Sequence, residues 1–134
     1  MDTETIADAL REYIQTRRRY VLGNEIHDAP RCATFAEIQS LFVDLGVDFL
    51  GPIIPHHPVF HNLVLWHGIN RTAWDVFKKL GGSGEFIIIG CGDNWWSLYD
   101  ANLAVDFGLP IAHEVRDYSE PHWLPSVIVK RATA

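Results

Sequence analysis

The sequence predicts a single α+β domain in which about three helices pack on a mainly antiparallel sheet. Three observations lead there. The 134-residue chain is long enough for one core and short for two, since a core of this size buries roughly two-thirds of the surface that the unfolded chain exposes. Apolar residues at 48% and charged residues at 21% are ordinary globular usage. Segments with helical periodicity come first, and segments with strand patterning follow with one helix among them, an order that favours antiparallel pairing over a doubly wound fold.

The first helix is expected from Thr3 to Leu22, where Ile6, Leu10, Ile14 and Val21 form one stripe beside Tyr13 and Gly23-Asn24 can end the helix. Asp2, Glu4 and Asp8 near its start and Arg17, Arg18 and Arg19 near its end complement the axial dipole. Thr34-Phe35-Ala36-Glu37 has the form of a capping box. The helix that follows carries Phe35, Ile38, Leu41, Phe42 and Leu45 on one face and meets a stop at Gly46. Asn70 caps a third helix with Ala73, Trp74, Phe77 and Leu80 at threes and fours, and Gly81-Gly82-Ser83-Gly84 breaks it.

Strands are expected where apolar residues run consecutively, at Leu63 to Trp66 and Phe86 to Ile89, as in central strands covered on both faces or buried at one end. Trp95 to Tyr99 and Leu103 to Phe107 read as a hairpin around Asp100-Ala101-Asn102. Ile111 to Val115 and Val127 to Lys130 read as edge strands, and Pro121 and Pro125 bracket a loop carrying His122 and Trp123.

A net charge of −6 repels phosphate on average, which weighs against nucleic acid as a partner. No apolar run approaches the ~20 residues that cross a bilayer, so no membrane role is expected. Met1-Asp2-Thr3-Glu4 does not open like a secretory signal, so Cys32 and Cys91 are expected as free thiols in a cytoplasmic protein.

Four stretches invite chemistry. Residues 55–68 hold four of the seven histidines, and His56, His57 and His61 are candidate metal ligands, with zinc the default ion for imidazole. Against this, Pro55 and Pro58 exclude a regular helix, so the rings are expected to fan outward unless the chain turns His56 or His57 towards His61. His113-Glu114 near Asp117 offers an acid/base pair, but a strand would send the first two to opposite faces. Gly90-Cys91-Gly92 after a strand lacks the third glycine of a dinucleotide turn and reads as a tight turn. Trp95 and Trp96, adjacent on a strand, must face opposite ways, so at least one meets solvent, a second element or a partner.

The leading expectation is a binding or interaction protein without catalytic activity. Its aromatic-rich surface or pocket would be built from Trp95, Trp96, Tyr99, His122 and Trp123, and would take an unidentified small molecule or protein or a second copy of the chain. One alternative is a zinc-type enzyme using His56, His57 and His61 with a carboxylate such as Glu114 or Asp93. Another is a winged-helix-like nucleic-acid binder presenting Arg71, Lys78 and Lys79.

Overall fold

Helix α1 spans Thr3–Thr16 and buries Ile6, Leu10 and Ile14 together with Ala7, so the expected stripe is the core face. The computed structural model describes residues 1–16, 19–22, 25–28, 32–90 and 108–131. The helix does not reach Leu22. Arg19–Leu22 is instead a strand, β1, paired antiparallel with β2, Glu25–Asp28, with Leu22 opposite Glu25. Tyr20 and Val21 favour extended backbone, and Gly-Asn between two such segments is a hairpin signature as much as a helix stop. Of the three arginines expected at the helix end, Arg19 lies in the strand, while Arg17 and Arg18 lie outside the described residues.

β3, Cys32–Thr34, leads directly into α2, Phe35–Asp44. The capping box is present: Thr34 Oγ1 accepts the Glu37 amide at 3.3 Å, and Glu37 Oε1 accepts the Thr34 amide at 2.9 Å. Gly46, at φ 72°, supplies the left-handed residue after the helix. A third helix, α3, runs Arg71–Gly82, and Asn70 Oδ1 accepts the Ala73 amide at 2.8 Å as its cap. Ala73, Val76, Phe77 and Leu80 are buried, while Trp74 is half-buried against the core.

Four further strands complete the described chain: β4, Leu63–Val64; β5, Phe86–Gly90; β6, His122–Trp123; and β7, Ser126–Lys130. β3, β7 and β5 form an antiparallel sheet in that order, and β4 pairs with β6 in a two-residue parallel ladder. With the three helices, this is an α+β architecture. Three strand expectations change. β7 is central rather than an edge, because its apolar Val127 and Ile128 are buried between two partners. β5 is buried at one end, the second of its two expected forms, rather than covered on both faces, and it ends the described order rather than lying centrally: Phe86 is buried, but Ile87, Ile88 and Ile89 are 40%, 45% and 44% exposed. Residues 111–115 make one bridge, Ile111 to Trp123, bury Ala112, and bend through the surface from His113 to Val115. The hairpin expected at Trp95–Phe107 lies outside the described residues.

Where residues 49–70 fold back on themselves, two glycines allow backbones to touch. A Cβ on Gly51 would lie 2.6 Å from Asn70 Cα, and one on Gly68 would overlap the carbonyl oxygen of Gly51. Ile53 and Ile69 exchange both backbone hydrogen bonds at this crossing, and the Asn70 amide donates to Phe49 O. The start of α3 is thus tied to the chain that enters the 55–58 turn.

The core is threaded by contacting aromatic rings. Trp123 meets Trp66 edge-on at 6.4 Å, Trp66 stacks on Phe35 at 5.7 Å, and Phe35, Phe77, Phe49 and Phe42 follow in edge contacts of 4.9 to 6.2 Å. Such pairs add roughly 0.5–1.5 kcal/mol each beyond the area they bury. Trp66 Nε1 donates to Gln39 Oε1 at 3.3 Å, so this fully buried indole satisfies its polar atom.

Candidate functional site: an apolar cavity between helix and sheet

Side chains alternate across a strand, so Phe86, Ile88 and Gly90 of β5 share one face of the sheet, and their register partners Ile128 and Ser126 of β7 share it too. All five line a cavity of about 460 Å³. Helix α3 supplies the opposite wall: Trp74, Phe77, Leu80 and Gly81 recur at helical spacing and line the same space. Phe35, Leu65 and Leu124 are buried in its lining, while exposed His56, Pro58 and Val115, with half-buried His57, form the mouth, and exposed Ile87 and Ile88 continue its solvent edge along β5. The volume falls within the ~300–1,000 Å³ of small-molecule sites.

Apolar side chains dominate the lining, and no charged side chain contributes among the described residues. The buried polar member, Ser126, spends its hydroxyl proton within the protein, donating to Leu124 O at 2.9 Å. Among the described lining side chains the remaining polar groups are the Trp74 indole N–H and the two imidazoles at the mouth.

These imidazoles are held by the proline-punctuated turn. His57 Nδ1 accepts the amides of Val59 and Phe60 at 3.1 and 3.2 Å, and its ring stacks on Phe60 at 5.3 Å. A neutral His57 ring therefore carries its proton on Nε2. His56 has the other tautomer, since its Nδ1 lies 2.9 Å from His57 O and must donate to it. Pro55 O accepts the Leu65 amide at 2.8 Å, and the His57 amide donates to Leu63 O, fixing the turn to β4.

The turn does bring His56 and His61 together, with rings stacked at 4.5 Å, so these two imidazoles gather rather than fan outward. His57 does not join them. Ligation through its Nε2 would need the proton on Nδ1, where two backbone amides already point. Among the described residues no three His, Cys, Asp or Glu side chains are placed to share a metal ion.

The expected aromatic site is divided. His122 and Trp123 form a strand rather than a loop, because the His122 amide donates to Asn62 O and the Trp123 amide to Pro110 O. Trp123 is 3% exposed and belongs to the aromatic core. His122 stacks on Tyr118 at 4.0 Å, over whose ring Arg116 also lies at 3.8 Å. Neither residue lines the cavity; their neighbour Leu124 does. Trp95, Trp96 and Tyr99 lie outside the described residues.

His113 and Glu114 are exposed on bends rather than on a strand, and Glu114 pairs with Arg116 at 3.0 Å. Arg71 and Lys78 both pair with Asp75, at 3.3 and 3.5 Å, and Lys79 pairs with Glu4, so these cations already face carboxylates. No described helix is long and apolar enough to cross a membrane.

Sequence reasoning found the helical wall of the cavity, Trp74, Phe77 and Leu80, but read it as core. It missed the sheet wall, whose signal was available. Alternate positions 86, 88 and 90 end on glycine, and their partner positions end on serine, so bulk falls away towards one end of that face. No protein-family model, curated protein or solved structure matches the chain.

Proposed function

We propose that this protein is a binding protein without catalytic activity, and that the cavity between α3 and the β5–β7 face is where it takes a small apolar molecule. The observation that carries this reading is the cavity's lining, apolar on both walls and open to the surface at the 55–58 turn. At ~30 Å³ per water, 460 Å³ is room for about fifteen waters that would have few polar partners there. Replacing them with an apolar group is favourable at roughly 25 cal/mol per Å² buried. The expected binding roles of Trp95, Trp96 and Tyr99 belong to this proposal, a few residues beyond Gly90 in the chain.

Thermal unfolding with toluene tests it. At ten times its Kd, a ligand of the folded state adds ~1.4 kcal/mol, which raises the midpoint by roughly 4 °C in a domain of this size. Ile88→Trp places a larger side chain at the exposed edge of the cavity and should cancel the increase. An equal increase in both proteins, or none in wild type, contradicts the proposal.

The zinc alternative has one supporting observation, the His56–His61 pair. Metal analysis of the purified protein, with His56→Ala and His61→Ala as controls, tests it: stoichiometric zinc lost in both variants would support the metalloprotein.

A further inference from the structure

We infer that the cavity's ligand is amphipathic, an apolar body ending in a hydrogen-bond-accepting oxygen, a carbonyl or carboxylate, that meets His57 at the mouth. The inference rests on the cavity being a binding site and adds the chemistry of what it selects.

Two features of the lining lead to it. Among the described residues the inner wall has little polar to offer: the Ser126 hydroxyl proton is already given to Leu124 O, and the other side chains there are hydrocarbon and aromatic, with the Trp74 indole N–H as their polar atom. A polar head placed there would give up most of its water for few partners, which is unfavourable even for a neutral group. The head must therefore stay at the mouth, where His56, His57 and Pro58 reach solvent.

At the mouth, the turn decides which kind of head is favoured. Because the Val59 and Phe60 amides both point at His57 Nδ1, that nitrogen cannot carry the proton without losing two hydrogen bonds. The Nε2–H is thus a donor fixed by the backbone, not a rotor that can also accept. At His57 a fixed donor favours an acceptor oxygen over an ammonium, which has only donors to present. The neighbouring His56 is the weaker anchor: its Nδ1 is committed to His57 O, which leaves an unprotonated Nε2 able to accept from an ammonium, but His56 is exposed to water whereas His57 is half-buried, and the ranking of ketone over amine decides between the two.

The test measures Kd for four ligands, hexanoate, 2-hexanone, hexylamine and toluene, from methyl chemical shifts of the full chain. It compares wild type with His57→Asp. An aspartate at position 57 can still accept nearby backbone amides, as aspartates do in turns, so the loop retains its anchor while the donor disappears. In wild type, 2-hexanone and hexanoate should bind about 3- to 10-fold more tightly than hexylamine, the value of one net hydrogen bond. In His57→Asp the ketone should lose that factor with no charge effect to confuse it, hexanoate should lose more, and toluene should bind as before.

Equal affinity of wild type for the ketone and the amine overturns the inference. So does a His57→Asp protein that holds the ketone as tightly as wild type. If toluene binds both proteins in either case, the cavity remains a binding site and only its selectivity has been misassigned. If toluene binds neither, the binding site itself is refuted and the inference falls with it. Should His57→Asp fail to fold, the wild-type ranking of ketone over amine decides alone.

Discussion

Gly68 rests against the carbonyl oxygen of Gly51 so closely that a methyl group on Gly68 would overlap it. This contact sets the distance between the chain leading into the 55–58 turn and the start of α3, the two parts that shape the mouth and one wall of the cavity.

Gly68→Ala should therefore destabilise strongly, by roughly 2 kcal/mol or more, since backbone atoms cannot swing aside as a side chain can. Gly82→Ala is the contrasting case. A Cβ there meets nothing within 4 Å in the last turn of α3, and alanine should stabilise by up to ~1 kcal/mol. Urea unfolding of both variants checks the pair, and a mild effect at Gly68 would mean that the crossing is looser than described.

Glu37 is 3% exposed, accepting the Thr34 amide and the Tyr13 hydroxyl, the latter at 2.6 Å. The cap and the bond between helices share one carboxylate. Tyr13→Phe should cost about 1.5–3 kcal/mol, the range for hydrogen bonds to charged groups. Glu37→Ala should cost more, because it also removes half of the capping box, worth ~1 kcal/mol. The double variant should fall short of the sum of the two, and strict additivity in a double-mutant cycle would show that the bond contributes nothing.

Burial holds the His67 pKa below its ordinary value. The folded protein then binds fewer protons at this ring than the unfolded chain, so its contribution to stability is full above the unfolded pKa and is lost as pH falls towards the folded one. Asp2, held low by its hydrogen bonds to Thr5, and Glu4, held low by Lys79, act with the same sign but in the carboxylate range. Between pH 7 and about 5, below which carboxylates begin to titrate, the decline in stability should be shallower in His67→Gln than in wild type. Parallel denaturation profiles for the two proteins would remove His67 as a cause.

The helices were legible because their signals are local. Thr34 with Glu37, Asn70 with Ala73, and the stripe of Ile6, Leu10 and Ile14 are each set within a turn or two of chain. What was misread depends on partners distant in sequence. Val127 to Lys130 has the length and composition of an edge strand, and only the arrival of β3 on one side and β5 on the other makes it central. Trp123 looked like a surface anchor between two prolines, but its partner Trp66 lies 57 residues earlier, beyond any local pattern. Tyr20 and Val21 fit a helical stripe and a strand equally well, and pairing with Ile26 and His27 decides between them. The cavity was invisible for the same reason: its walls, α3 and the β5–β7 face, each read as ordinary core, and empty space between two surfaces leaves no mark on either sequence.

The cavity's accessibility is tested most directly by following isoleucine methyl resonances during a toluene titration. Ile87, Ile88 and Ile128 line the cavity, whereas Ile6 and Ile14 lie on the buried face of α1 outside its lining. Saturable shifts at the first three with Ile6 and Ile14 unmoved are the predicted result; no saturating shift at Ile88 and Ile128, or equal shifts at all five, would contradict it.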